Sequence, residues 1–360
     1  MEKGLCEICN PKQWRTISSD MLTENGYPVY GANGIIGYYE KYNHKEPTIL
    51  ITCRGATCGT LNICEPFSYV NGNAMALDNL SEELNIQYLY YYLLARGLSD
   101  VITGSAQPQI VRQSLEKVKV KYPPIDEQRK IAMVLDKVSD LIAKRRQQLT
   151  KLDELGKARF VEMFGGKDYS SQELISLIKD GAGLSYGIVQ PGDDGTGDMG
   201  VLRPVDFVDG KINETSIKYI DRTVGEAFKK TELAGNELLI TVRGTTGITA
   251  LTDNSFAGMN VTRGIAVIRY DYEKIDPLYL NSYLKTDESQ RYIQEHTHGA
   301  TLQQINLSDL RVQPILVPPR EKQEQFAIFV KQTEKMKTAI SSSLDMLETL
   351  KKALMQKYFK

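Results

Sequence analysis

The stretch Gly104-Ser-Ala-Gln-Pro-Gln-Ile110 returns as Gly299-Ala-Thr-Leu-Gln-Gln-Ile305, 195 residues further along the chain. At the same offset Pro123-Pro124 returns as Pro318-Pro319, and Gln128 as Gln323. Ala132 then returns as Ala327, Leu149 as Leu344, Leu152 as Leu347 and Phe164 as Phe359, with no insertion between them. Upstream, Thr52-Cys-Arg54-Gly55-Ala-Thr57 is echoed by Thr241-Val-Arg243-Gly244-Thr-Thr246 at an offset of 189. The chain is an internal duplication. Two similar halves present two similar surfaces, which suits a two-part target better than a single catalytic pocket.

Each Pro-Pro pair opens a long helical pattern. The prolines stop a strand, and Asp126-Glu-Gln places acids in a first turn, where the helix dipole favours them. From Asp126 to Phe164 there is no proline, and Gly156 is the only glycine. Leu135, Val138, Ile142, Leu149, Leu152 and Met163 follow a 3-4 spacing, broken at Arg145, Gly156 and Arg159. The copy, Glu321 to Phe359, carries Val330, Ile340, Leu344, Leu347 and Leu354. An apolar seam of this period predicts a coiled coil. Helices of nearly forty residues reach about 55–60 Å. That exceeds a single small domain, so the reading is that they pair with each other rather than each docking on its own globule.

The intervening regions are strand-rich. Strands are expected over Pro47–Thr52, Lys117–Tyr122, Asn236–Val242, Arg263–Arg269 and Val312–Val317, and helices over Asn85–Arg96 and Leu278–Glu295. The resulting organisation is α+β, with a pseudo-twofold repeat. A first globular domain over 1–122 is followed by a long helix over 123–165, a second globular domain over 166–317 and a second long helix over 318–360. The composition, 41% apolar and 25% charged, is that of an ordinary globular protein. A formal net charge of −1 argues against indiscriminate nucleic-acid binding, because phosphate neutralisation must then come from local patches or from partner subunits. No apolar run reaches membrane-spanning length, and Met1-Glu-Lys-Gly-Leu lacks the apolar core of a signal peptide. Five cysteines, all within the first 64 residues, read as reduced thiols. A soluble, cytoplasmic protein without a membrane partner is expected.

In this order the chain closely resembles the specificity subunits of type I restriction-modification systems. The resemblance is carried by Tyr27-Pro-Val-Tyr-Gly-Ala-Asn-Gly-Ile-Ile-Gly-Tyr38, Ile49-Leu-Ile-Thr-Cys-Arg-Gly55 and Ile240-Thr-Val-Arg-Gly244. It is completed by Pro123-Pro-Ile-Asp-Glu-Gln128 and Pro318-Pro-Arg-Glu-Lys-Gln323. It covers essentially the whole chain, although Tyr27 follows the opening Met1–Asn10 sooner than its counterpart does in the second half. The resemblance implies two target-recognition domains joined by two antiparallel helices that act as a ruler. Each domain would read one half of a gapped site on double-stranded DNA. The helices would dock methyltransferase subunits, two of them, and a restriction subunit would join that core. No catalysis and no cofactor would belong to this chain. S-adenosylmethionine, and ATP with Mg where a nuclease is present, would sit on the partners.

Arg54 and Arg243 each end a strand before a glycine, with Thr57, Thr245 and Thr246 close by. Arginine suits bidentate contact to guanine or phosphate, and threonine hydroxyls suit phosphate oxygens. Recurrence of the motif in both halves favours a phosphate-positioning or structural role over base reading. Residues that differ between the halves are the better candidates for reading sequence. They are Tyr30, Asn33, Asn71, Asn73 and Gln107 in the first half, and Ser185, Tyr186, Arg203, Asn260, Thr262, Arg263 and Gln303 in the second. Asn and Gln can pair with adenine N6 and N7; equally, the same residue types form and cap loops.

Catalytic look-alikes fail on context. Gly195-Thr-Gly197-Asp-Met-Gly200 has dinucleotide-binding spacing but lacks a preceding strand and a following helix. Tyr122-Pro-Pro-Ile125 and Val317-Pro-Pro-Arg320 lack the leading amide or acid and the trailing aromatic of adenine methyltransferases. No P-loop is present. Cys6-x-x-Cys9 with Cys53, Cys58 and Cys64 has irregular spacing for a zinc site, and His44, His296 and His298 are scattered. Tyr88-Leu-Tyr-Tyr-Tyr92 reads as a helix face packed on a sheet, and Lys144-Arg-Arg146 as a solvated helix face. Two rival functions remain: an adaptor whose globules bind protein or glycan, and a zinc- or thiol-dependent enzyme.

Overall fold

Ile49-Leu-Ile-Thr52 is apolar and β-branched enough to be covered on both faces, and alternate residues enter different cores. Ile49 and Ile51 join Met75, Leu77, Leu89 and Leu93, whereas Leu50 joins Ala74, Ala76, Tyr30 and Val70. The computed structural model describes residues 1–360 except 105, 106, 193, 194, 196, 209, 300, 301 and 360. It divides into two compact units, Met1–Gln148 with Ile340–Lys360, and Leu149–Ala339. Each unit therefore holds one globule and a stretch of both long helices.

In the first unit the main sheet runs in the order Asn10–Gln13, Ala74–Asp78, Ile49–Thr52, Leu61–Ile63, with all neighbours antiparallel. A smaller sheet covers its outer face: Gly34–Tyr39, Tyr27–Gly31 and Tyr69–Val70, the last two parallel. Helix Ile86–Arg96 covers the inner face, capped by Asn85, whose side chain accepts from Tyr88 N at 3.0 Å. Tyr88 and Tyr91 are buried as expected. The Tyr88 hydroxyl, pushed up to about 12 by burial, donates to Lys121 O, and the Tyr91 hydroxyl donates to Asp136 on the first long helix at 2.8 Å.

The second unit repeats this plan. Its main sheet is Thr249–Leu251, Leu238–Thr241, Ile265–Ile268, and its outer sheet is Lys218–Ile220, Met199–Leu202, Asn260–Val261, the last two again parallel. Both units also carry an antiparallel pair at the base of a long helix, Glu2–Gly4 with Lys119–Lys121 and Ser171–Glu173 with Pro314–Leu316. The single helix expected over Leu278–Glu295 is two, Pro277–Tyr283 and Asp287–Glu295. Thr286 makes the break. Its hydroxyl donates to Tyr283 O, ending one helix, and accepts from Ser289 N, starting the next.

The long helices span Ile125–Phe164 and Arg320–Phe359, 40 residues each. In the first unit Ile131, Ala132 and Leu135 sink into the core, and Leu354, Met355, Tyr358 and Phe359 of the other helix pack against it. In the second unit Phe160, Met163 and Phe164 meet Phe326, Phe329 and Val330. The start of one helix thus meets the end of the other in each unit, so the pair is antiparallel. The broken apolar seam expected from spacing is buried unevenly along its length. Leu135, Val138 and Ile142 are buried, but Leu149, Leu152, Val330, Ile340, Leu344, Leu347 and Leu354 are only half-buried. Polar contacts join them: Arg145 to Ser343 at 3.2 Å and Arg146 to Glu348 at 2.6 Å in the first unit. In the second, Lys337 bridges Asp153 at 2.6 Å and Glu334 at 2.8 Å. The helices pair with each other and also dock on the globules.

Gln128 and Gln323 fix where these helices begin. Gln128, fully buried, accepts from Asn85 N at 2.9 Å and donates to Glu83 O and Pro123 O. Gln323 accepts from Asp276 N at 2.8 Å and donates to Pro318 O at 2.8 Å. Gln128→Leu strands one buried N–H and two carbonyls, so it should lower the stability of the first unit by roughly 3 kcal/mol. Gln323→Leu should act alike in the second unit. Urea unfolding of each variant measures this, and a loss below about 0.5 kcal/mol would remove the anchoring role.

Candidate nucleic-acid interface

Two buried strands, Ile49–Thr52 and Leu238–Thr241, each run out of their sheet into an Arg-Gly turn. In the first unit Cys53 N donates to Asn73 O at 3.2 Å, Ile110 N to Cys53 O at 3.0 Å, and Gly55 N to Pro108 O at 3.1 Å. Thr103 and Gln109 exchange two bonds of 2.8 Å, closing a small hairpin beside the turn. The Thr52 hydroxyl donates to Ala32 O, tying in the tip of the outer-sheet hairpin. Cys53 bolts the rim from beneath: Gln13 donates to its sulfur at 2.9 Å and the thiol donates to Asn73 O. Burial pushes that thiol up, so it stays protonated. The result is one contiguous rim that exposes Asn33, Arg54, Thr57, Asn73 and Gln107.

The second unit builds the same ladder at equivalent positions. Val242 N donates to Gly264 O at 2.8 Å, Ile305 N to Val242 O at 3.0 Å, and Gly244 N to Gln303 O at 2.9 Å. Thr297–His298 pairs with Gln304–Ile305 as the matching hairpin. Thr246 bonds Thr297 at 3.2 Å, and Arg263 N donates to Ile188 O beside Tyr186. Thr245, Tyr186 and Gln303 are exposed, and Arg243, Thr246, Thr262, Arg263 and Ser185 are half-exposed. Among the described residues, the guanidinium groups of Arg54, Arg243 and Arg263 make no ion pair. Gly55 and Gly244 have φ of +89° and +85° and face open space. A glycine is therefore needed for the turn itself, and it leaves a bare backbone that a ligand can approach.

Four residues expected to read bases are turned inward instead. Asn71, 3% exposed, accepts from Ile17 N and donates to Ile17 O, each at 3.2 Å, and so pins a loop. Asn260 is fully buried between Thr231, at 2.8 Å, and Phe228 O. The buried Tyr30 hydroxyl accepts from Glu65 N at 3.3 Å. Arg203 is clamped on buried Asp206 at 2.8 Å and on Ser216 O at 2.6 Å. Burial without an internal partner would cost each amide or charge dearly, so these side chains hold the loops rather than offering themselves to a ligand. The turn-former reading of Asn was legible in sequence; which Asn obeyed it was not.

The glycines of Gly195–Gly200 lead into strand Met199–Leu202, so no helix opens there; Thr196 lies outside the described residues, as do Ser105, Ala106, Ala300 and Thr301 of the repeated turns. Cys9 belongs to the core of the first unit, its thiol donating to Leu5 O and pushed up to about 12 by burial. Among the described residues no group of three or more His, Cys, Asp or Glu is placed to hold a metal ion, and no helix is long and apolar enough to cross a membrane.

The chain is 22% identical over 371 residues to the type I restriction enzyme EcoBI specificity subunit of Escherichia coli, covering 93% of this chain and 74% of that one. The type I restriction-modification S subunit of M. genitalium superposes with a TM-score of 0.70 at 14% identity, over 100% of this chain and 96% of the other. A second solved chain, from work on complex assembly and conformational transition of the type I R-M system, superposes with a TM-score of 0.56 at 16% identity, over 100% and 97%. At such identities the superpositions speak for the fold. The family model described as "Type I restriction modification DNA specificity domain" matches twice, over residues 1–152 and 196–348. With two such domains in one chain, the protein belongs to the family of type I restriction-modification specificity subunits.

Proposed function

We propose that the two rims read the two halves of a gapped duplex DNA site, and that the long helices set the unread spacer. The observation that carries this reading is one backbone ladder built twice with different side chains on it. A shared ladder positions; differing side chains distinguish. Arg54 and Arg243, with Thr57, Thr245 and Thr246 and the bare Gly55 and Gly244, hold phosphates. Asn33, Asn73 and Gln107 in one unit, and Ser185, Tyr186, Thr262, Arg263 and Gln303 in the other, face bases. The helices also dock two methyltransferase subunits, and a restriction subunit completes the complex in the cytoplasm. S-adenosylmethionine, and ATP with Mg, act on those partners and not on this chain. The adaptor reading has no such reason for the duplicated Arg-Gly rim, and family membership stands against it.

Co-expression with the cognate methyltransferase subunit in a host lacking that modification, followed by mapping of methylated adenines, tests the reading. A two-part gapped motif is expected, and replacing one globule should change one half only. Scattered or absent methylation from an assembled complex would sink it. Arg54→Ala and Arg243→Ala should each weaken binding of the complex at low salt and reduce the slope of log affinity against log salt by about one. The mapped sequence should stay the same, and a changed motif would make these arginines base readers. Inserting four residues into both helices adds about 6 Å and should lengthen the spacer. An unchanged spacer in an active complex would refute the ruler.

A further inference from the structure

The outer-sheet hairpin of the first unit, Tyr27–Gly31 with Gly34–Tyr39, carries a feature the rim reading leaves unused. Its register pairs Val29 with Gly37 and Tyr30 with Ile35, so Ile36 is an extra residue, a β-bulge. Bulges re-aim side chains and cluster beside functional sites. Here the bulge leaves two consecutive isoleucines at the surface, Ile35 at 48% and Ile36 at 46% exposed. In a regular strand one of the two would face the core. Ile36 lies across Gly31, where a Cβ would come within 2.8 Å of its Cγ2, so only a glycine there lets it keep this place. The turn between the strands is not free either, because Thr52 holds Ala32 O two residues before Arg54. The isoleucines therefore stand on a braced tip, continuous with the rim and next to exposed Asn33. In the second unit the chain between the equivalent strands makes a long excursion clamped by Arg203, Asp206 and Ser216 instead.

We infer that Ile35 and Ile36 are specificity-determining residues of the first unit and pack against thymine 5-methyl groups in the major groove of its half-site. The inference rests on the reading that this rim faces DNA. An aliphatic pair offers no hydrogen bond, and the thymine methyl is the one apolar group that base edges present in that groove. The first half-site then contains at least one A·T pair set by shape and apolar contact, not by hydrogen bonding.

The test uses the complex with the methyltransferase subunit, after its motif has been mapped and the halves assigned by globule exchange. Each thymine of the first half-site is replaced in turn by deoxyuridine, which lacks only the methyl group. At one position or more, the intact complex should bind about fourfold more weakly, the worth of one buried methyl. The Ile35→Ala or Ile36→Ala complex should bind both duplexes alike. Equal loss in variant and parent, or indifference to deoxyuridine at every position, overturns the contact; indifference is also what insertion into the minor groove would give. A half-site without thymine overturns it too, and so does failure of the variants to assemble with the methyltransferase, which would make the tip a protein contact. Absence of any two-part motif would remove the underlying reading along with it, whereas a mapped motif with deoxyuridine indifference removes this contact alone.

Discussion

Gln128 and Gln323 each bury a carboxamide where a β-strand, two prolines and a forty-residue helix meet. The acceptor end holds the N–H of the residue that caps a globule helix, Asn85 or Asp276. The donor end holds the carbonyl of the first proline, Pro123 or Pro318. A proline contributes a carbonyl but no N–H, so such a junction would otherwise leave buried acceptors empty. Closing it with one rigid amide sets the direction in which the helix leaves its globule. Every contact further along the helix inherits that direction, from Leu135 in the first core to Phe326 in the second. A longer or charged side chain would be misplaced there, and an apolar one would leave the carbonyls stranded.

The same logic of backbone before side chain governs the rims. Their shape rests on main-chain bonds between strand end, turn and hairpin, and these recur pair for pair in the two units. Side chains on the rim are therefore released from structural duty and can differ without loss of the scaffold. The exceptions show the rule. Asn71 is not released, because in the first unit its amide closes the loop to Ile17; at the matching place in the second unit, main-chain bonds between Ile188 and the 261–263 segment do that work. Arg203 is not released, because Asp206 beneath it is fully buried and needs the charge.

Much of this was legible in the chain. The repeated Gly104 and Gly299 turns, the Pro-Pro-x-x-x-Gln junctions and the two Arg-Gly turns announced two equivalent units and the place of each rim. Strand cores were readable from β-branched runs such as Ile49–Thr52. Less legible was anything decided by tertiary partners. Periodicity marked a broken 3-4 seam between the helices, but not that Phe160, Phe164 and Phe326 are drawn into the second core while Lys337, Asp153 and Glu334 occupy the middle. A Thr in a helical run hid the break at Thr286. Asn residues alike in sequence divided into loop pins and exposed candidates by burial alone. The bulge at Ile36 left no trace in alternation, since Ile-Ile reads equally well as a covered strand.

The charge of the chain acquires a meaning from the rims. Their two proposed phosphate-holding arginines, Arg54 and Arg243, stand on a molecule whose formal net charge is −1. Each neutralised phosphate contributes a slope of about 0.9 in log affinity against log salt. Two such contacts, from Arg54 and Arg243 as proposed, would give a shallow dependence and little grip on arbitrary sequence. Weak non-specific binding is an advantage in a component that supplies an address, because the genome presents far more wrong sites than right ones. Contacts to bases would then carry a larger share of the discrimination. Low charge on the specificity subunit is in this sense part of its specificity.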